Sequence, residues 1–418
     1  MERDDQNDGA ASRLSADLGR GSSQSGIRLY NERLVLSLIR RHGSLPKAEI
    51  ARLTGLSAQT ASVIVTQLEA DGLLVKQDRQ RGRVGQPSVP FALNPRGALA
   101  VGLKIGRRSS DLVLVDFGGA VRHRIHTTHA YPLPRELMRF VRDGIAEIGG
   151  TLSPAEAARV AGFGIATPFE LWSWESEVGA PASAMQAWRT FETEREIAAV
   201  SPWPVRICND GTAACAAECL FGRSDGLHDF LYVFIGSFVG GGVVLNGSVV
   251  QGRSGNAGAI GSMPIARLDA GGRLAADQLI RRASLYVLEG RLADAGIDPS
   301  LLWASTDEWP NFGAPFDDWL ATASDGIAVL AAAACSIIEF EAIVIDGAFP
   351  VEIRKRVVEA TKSALTRIDW QGLSPVEIKE GTIGAQARAV GGAALPILAN
   401  FARDREVLFK DASSEVGH

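Results

Sequence analysis

Along the first hundred residues the apolar positions fall at helical spacing. Ile27, Tyr30, Leu34 and Leu38 recur at three- and four-residue steps and predict an amphipathic helix that ends near the run "RRHG". In "LPKAEIARLTGLS", Pro46 is tolerated at a helix start, Ile50 and Leu53 supply one buried face, and Gly55 breaks the element. Ser57 can then cap a third helix, "SAQTASVIVTQLEADG", which closes at Asp71-Gly72 and carries Ala61, Ile64, Val65 and Leu68 on one stripe. Near its start the opposite side shows Gln59, Thr60, Ser62 and Thr66. Two helices joined by a short turn, the second presenting small polar groups outward, predict a helix-turn-helix with its reading face in solvent. Two β-like runs, 73–76 and 89–93, flank a tip of Arg, Gln and Gly and predict a β-hairpin wing. Arg81 and Arg83 on that tip are long enough to enter a minor groove or grip phosphates. A three-helix interaction domain is the competing reading of the same helical pattern.

After residue 94 the pattern becomes strand-rich. "ALAVGLKIGRRSSDLVLVDFGGAVRHRIHTT" predicts three short strands with tight turns, and "PVRICNDGTAACAAECLFG" a strand, a turn and a helix. The theme returns in "FLYVFIGSFVGGGVVLNGSVV" and "AIVIDGAF". Strand-rich openings followed by helices, seen twice, predict two related α/β lobes facing a cleft.

Composition narrows the class. A chain of 418 residues is too long for one core, and 46% apolar with 22% charged residues is the balance of a globular protein. No apolar run approaches the roughly 18 residues a bilayer span needs, and the polar start reads as a disordered arm over 1–26 rather than a signal peptide. The expectation is a cytoplasmic protein with no membrane partner. Four cysteines without a nearby histidine at ligand spacing read as buried thiols. The net charge of −5 is unevenly placed: residues 27–93 hold ten Lys/Arg against five Asp/Glu, and residues from 94 onward hold 30 against 38. A basic segment on an acidic body points to a nucleic-acid module joined to something else.

Taken together, "GLSAQTASVIVTQLEADGLL", "RGRVGQP", Asn209-Asp210 and "GGGVVLNG…GNAGAIGSMP" resemble the ROK family of repressors, open reading frames and sugar kinases, and within it the regulators that carry a winged helix. The resemblance spans everything after the polar arm. It implies an α/β protein: a winged helix-turn-helix over 27–93, then a two-lobed actin/hexokinase-like (RNase H-like) domain over 94–418.

Against the family's kinases the chain departs at each chemical station. Lys104 stands at the acid of the D-x-G-G-T turn, with Arg107 and Arg108 at its second glycine and the residue beside it. Those arginines read either as a surface turn or as a pair attracting an anion. Phe238 stands at the middle glycine of G-T-G-x-G-G-G, which leaves the later glycines a packing role. In G-N-A-G-E-x-G-H, Gly255 to Gly258 are kept, but Ala259 replaces the glutamate and Ser262 the histidine. The cysteine cluster that would follow is absent, and a further sugar-contacting glutamate falls on Ile280. The resemblance therefore implies no zinc and no other cofactor. Asp210, at the catalytic base, is either a sugar-binding carboxylate or the N-cap of the helix after it. Trp172, Trp174 and Glu175, in the loop that matches the family's sugar-closing segment, could offer flat faces and an acceptor to a pyranose, or form one face of a strand.

The expectation is a regulator, in form a repressor, of carbohydrate metabolism or transport genes, with no catalytic residue. Ser57, Gln59, Thr60, Ser62, Thr66, Arg81 and Arg83 would bind operator DNA. Asn209, Asp210, Asn256, Trp172, Trp174 and Glu175 would hold a sugar or sugar-derivative effector. A homodimer or dimer of dimers would match a near-palindromic site. The alternatives are a constitutive DNA-binding or scaffolding protein with a dead cleft, and an ATP-dependent sugar kinase.

Overall fold

The computed structural model describes residues 24–79, 88–168, 171, 185–223, 226–268, 274–304 and 306–403. Described residues up to Gly97, with those from Ala399 on, form one compact unit, and Ala98–Leu398 form another.

In the first unit, helix α1 (Gln24–His42) begins inside the stretch expected to be an arm. It buries Val35, Leu36 and Ile39, not the expected set of Ile27, Tyr30, Leu34 and Leu38. From Leu34 to Ile39 every residue but Ser37 is apolar, so two neighbouring stripes fit the helical period and only packing selects between them. Strand β1 (Ser44–Pro46) leads into α2 (Lys47–Thr54), which ends on Gly55 at φ 71°. Ile50 is fully buried, but Leu53 is 37% exposed: eight residues lay little more than one side chain on the core, and Leu53 stands at its rim. Helix α3 (Ala58–Ala70) is capped by Ser57 and buries Ala61, Ile64, Val65 and Leu68, as its spacing predicts. Strands β2 (Leu74–Lys76) and β3 (Pro90–Leu93) pair antiparallel, and β1 adds on the far side of β3. Three residues ending in proline carry no strand period, so β1 was not legible.

The second unit repeats one plan. Strands β4 (Leu99–Ile105), β5 (Ser109–Asp116) and β6 (Val121–Thr128) form an antiparallel meander. Strands β7 (Val160–Thr167) and β8 (Val205–Asn209) extend it in parallel, giving the order β6-β5-β4-β7-β8. Strands β9 (Phe230–Ile235), β10 (Val239–Leu245) and β11 (Ser248–Val250) form a second meander, and β12 (Pro264–Leu268) and β13 (Leu274–Gln278) a separate hairpin. Strands β14 (Ala342–Gly347) and β15 (Glu377–Glu380) complete the second sheet in the matching order β11-β10-β9-β14-β15.

Parallel neighbours require crossovers, and helices supply them. Helix α4 (Pro134–Thr151) packs on the first sheet through Leu137, Met138, Val141 and Ile148. Helix α5 (Asp210–Phe221) follows β8, and α6 (Leu285–Asp294) follows the hairpin. Helices α7 (Gly313–Cys335) and α8 (Val351–Leu365) pack into the core of the second sheet. The stretch Asp307–Cys335 is long and apolar enough, by length and composition, to cross a membrane. Within it, Phe316, Trp319, Ala323 and Ile327 are spent on that core.

Helix α9 (Ala387–Phe401) lies against its neighbours backbone to backbone. A Cβ at Gly102 on β4 would run into the Ala389 carbonyl, one at Gly164 on β7 into the Gly392 carbonyl, and one at Gly391 into the Ala213 carbonyl of α5.

Candidate functional site

On α3 most of the expected reading residues are already engaged. Ser57 Oγ accepts from the Thr60 N–H at 3.1 Å and lies 2.8 Å from Thr60 Oγ1, so these two hydroxyls serve the cap. Lys47, at the start of α2, donates to Ser62 Oγ at 3.2 Å and to Thr66 Oγ1 at 2.9 Å. Gln59 is exposed and outside these bonds. One turn further along, Val63 is 62% exposed. Arg81 and Arg83 lie outside the described residues. Lys47 was missed as a partner of this face, because its sequence position marks only a helix start.

In the second unit a cleft of about 250 Å³ is lined by Asn209, Asp210, Asn256, Ser262, Ile280 and Arg388, among others. It gathers the departures read from the sequence: Arg107, Phe238, Ala259, Ser262 and Ile280 all line it. Trp172, Trp174 and Glu175 lie outside the described residues.

Both turns that would approach a phosphate are filled from within. Arg107 donates to Glu289 on α6 at 2.6 Å, and Arg108 lies 3.1 Å from the same carboxylate. Arg107 is thus part of a partly buried ion pair, not the open surface turn. Phe238 packs edge-on against Tyr286, with ring centroids 5.3 Å apart. The loop beneath is stitched to α6 and the residue before it: Leu285 N–H donates to the Gly236 carbonyl, Tyr286 N–H to that of Ser237, and Val239 N–H to Ser284 Oγ. The later glycines do pack strand against helix. A Cβ on Gly242 would run into the Cys215 side chain, and one on Gly211 would lie 2.6 Å from the Gly241 nitrogen.

Asn209, not Asp210, caps α5: its Oδ1 accepts from the Gly211 N–H at 2.9 Å and the Thr212 N–H at 3.4 Å. A cap must precede the first helical residue, and Asp210 is itself that residue. Its carboxylate instead accepts from Arg388 on α9 at 3.2 Å. The Arg388 guanidinium also lies over the Phe234 ring at 5.0 Å, and its Nε is buried without a partner. Arg388 is 178 positions from Asp210, beyond any local signal in the sequence.

Lys104 is buried, donating to Ser109 Oγ at 2.7 Å and to Asp111 at 3.2 Å. Burial, then the Arg388 charge, push its ammonium down to about 8. Burial pushes the Asp111 carboxyl up, but Lys104, Arg124 and His126 outweigh it and hold it at about 2.

The residues present do not fit zinc. Ser262 stands where a histidine ligand is expected, and among the described residues no three His, Cys, Asp or Glu are grouped to hold a metal. Burial raises the Cys215 thiol well above its usual range, which leaves it an inert packing group.

A sequence model of the ROK family matches residues 100–275, and one of the MarR family matches residues 30–83. The chain is 25% identical over 380 residues to the protein described as "Uncharacterized protein y4fQ" of Sinorhizobium fredii, covering 89% of this chain and 91% of that one. It is 23% identical to the xylose repressor of Bacillus subtilis, covering 58% of this chain and 62% of the repressor. With the Escherichia coli DNA-binding transcriptional dual regulator NagC it shares 25% identity, covering 59% of this chain and 61% of NagC. The match thus spans about three fifths of these regulators' length. Among solved structures, a ROK family transcriptional regulator, homolog of E. coli MLC protein, superposes with a TM-score of 0.62 at 21% identity, covering 90% of this chain and 97% of that one. A ROK family glucokinase from Streptomyces griseus superposes at 0.54 and 18% identity, covering 71% of this chain and 99% of the kinase.

Proposed function

The chain carries a ROK-family domain behind a MarR-type winged helix, and from that premise we propose that it is a sugar-responsive DNA-binding repressor of carbohydrate metabolism or transport genes. One observation carries the reading. The cleft is lined by the polar side chains of Asn209, Asp210 and Asn256, while both turns that would cradle a nucleotide's phosphates hold side chains packed on α6, Arg107 on Glu289 and Phe238 on Tyr286. A phosphoryl-transfer enzyme works by positioning those phosphates against backbone donors, and these turns leave no such cradle.

The effector is a sugar or sugar derivative, and the cleft lies just under the roughly 300–1,000 Å³ of common ligand pockets, a size for one ring. Relatives named as a xylose repressor and NagC support the regulator over the kinase. A homodimer or dimer of dimers in the cytoplasm, with Arg81 and Arg83 on the wing gripping DNA, completes the proposal. No cofactor or membrane takes part in it. The effector acts by binding one arrangement of the two lobes better than the other.

The test is operator binding titrated with a panel of sugars, beside an assay with ATP, magnesium and the same sugars. A sugar that shifts the operator curve without turnover supports the repressor. Steady turnover that disappears in Asp210→Ala makes the chain a kinase. Binding that no effector moves makes it a constitutive DNA-binding protein.

A further inference from the structure

Four of the five hydroxyl or amide groups expected on the reading face already have a side-chain partner within the protein, although Ser57, Thr60 and Thr66 are exposed. Ser57 and Thr60 bond each other at the cap, and Ser62 and Thr66 share the Lys47 ammonium. On the same helix Val63 is 62% exposed, while its neighbours Ile64 and Val65 are 6% and 0% exposed. Four residues separate Gln59 from Val63, so both stand on one side of α3, one turn apart. A β-branched residue has a stiff side chain and little freedom to fold back onto its own helix. The segment around it is basic, ten Lys/Arg against five Asp/Glu over residues 27–93, which suits a phosphate-lined partner over a protein groove.

We propose that Val63 reads a thymine, packing its methyl groups on the C5-methyl in the major groove one base step or so from the base that Gln59 contacts. This rests on α3 being the DNA-reading helix. It assigns that helix an apolar determinant beside its polar one. In the major groove the thymine methyl is the one apolar group among the base edges, and it is absent from uracil, so it can be removed without touching any hydrogen-bonding group. Lys47 then has a positioning role: by holding Ser62 and Thr66 it keeps them from competing for bases and leaves Gln59 and Val63 to face the groove.

The experiment uses the full chain and the duplex it selects from random double-stranded DNA. Each thymine of that site is replaced in turn by uracil, and affinities are measured for wild type, Val63→Ala and Gln59→Ala. At one position per half-site, uracil should weaken wild-type binding roughly three- to fivefold, the worth of one methyl group removed from water. Val63→Ala should bind the thymine site that much more weakly and no longer distinguish the two bases there, while Gln59→Ala keeps the distinction. Val63 is exposed, so the substitution spares the core, and equal helix content by circular dichroism checks this. The proposal is overturned if no uracil affects wild type, or if Val63→Ala stays as methyl-sensitive as wild type. If selection returns no shared sequence, the assignment of α3 as the reading helix falls, and this inference with it; a shared site indifferent to uracil removes the inference alone.

Discussion

Asp210 holds the first helical position of α5 with its carboxylate on Arg388, so an incoming hydroxyl must compete with a guanidinium for it. Asp210→Ala should therefore abolish the effector's shift of the operator curve while leaving effector-free operator affinity unchanged, as read by fluorescence anisotropy with and without sugar. Lys104 gives a second expectation. Its folded-state ammonium, at about 8, lies below the ordinary 10.5, so the folded chain holds this proton less firmly than the unfolded one. Stability should then rise as pH climbs from about 8 to 10.5, by up to roughly 3 kcal/mol. Lys104→Met should lose that rise, since Asp111 keeps Arg124 and His126, each at 2.7 Å. Urea titrations of both proteins at pH 7.5 and 10 check it. From the sequence, Asp210 was open to two readings and Lys104 was only a missing acid. Each residue's state is set by partners brought in by the fold, Arg388 above all, and residue type alone could not show them.

At the scale of elements, α3 and α5 show where sequence is informative. Ser57 before α3 and the stripe from Ala61 to Leu68 were legible because a cap and a helical period are local properties. The face of α1 was not, because its apolar run satisfies two stripes. On α5 the cap was one residue from where it was sought. Asn209→Ala should cost about 1–2 kcal/mol in urea unfolding, the usual worth of an N-cap. Asp210→Ala leaves the Asn209 capping bonds in place, so whatever it costs comes from stripping the part-buried Arg388 guanidinium of its carboxylate and not from the helix end. Strands β2 and β3 were legible as short β-like runs on either side of a tip of Arg, Gln and Gly, and β1 was not. The proposed phosphate contact of Arg83 predicts that Arg83→Ala weakens operator binding and flattens its dependence on salt. Affinities at four salt concentrations measure the slope.

For the whole molecule, the two matching sheet orders bear out the repeated strand pattern, and the cleft they frame gathers residues from positions 107 to 388. Spacing could place Phe238, Ala259 and Ser262 near one another, but not Arg107 against Glu289. With both phosphate turns filled by side chains, the expected outcome of incubation with ATP, magnesium and sugars is no turnover above a protein-free control, measured as ADP release. The expected outcome with operator DNA is a sugar-dependent change in affinity.

Helix α9 carries Arg388 and meets β4, β7 and α5 main chain to main chain at Gly102, Gly164 and Gly391, where an added Cβ would not fit. We expect such a joint to work as a gear and not as a spring, stepping between discrete seatings because its main-chain contacts leave nothing to compress. A weak analogue of the effector would then change how many molecules have stepped, never how far each has moved. In a solution spectrum of α9 recorded at a temperature where exchange is slow, a partial response should show as two sets of signals with shifting proportions, not as one set drifting between them.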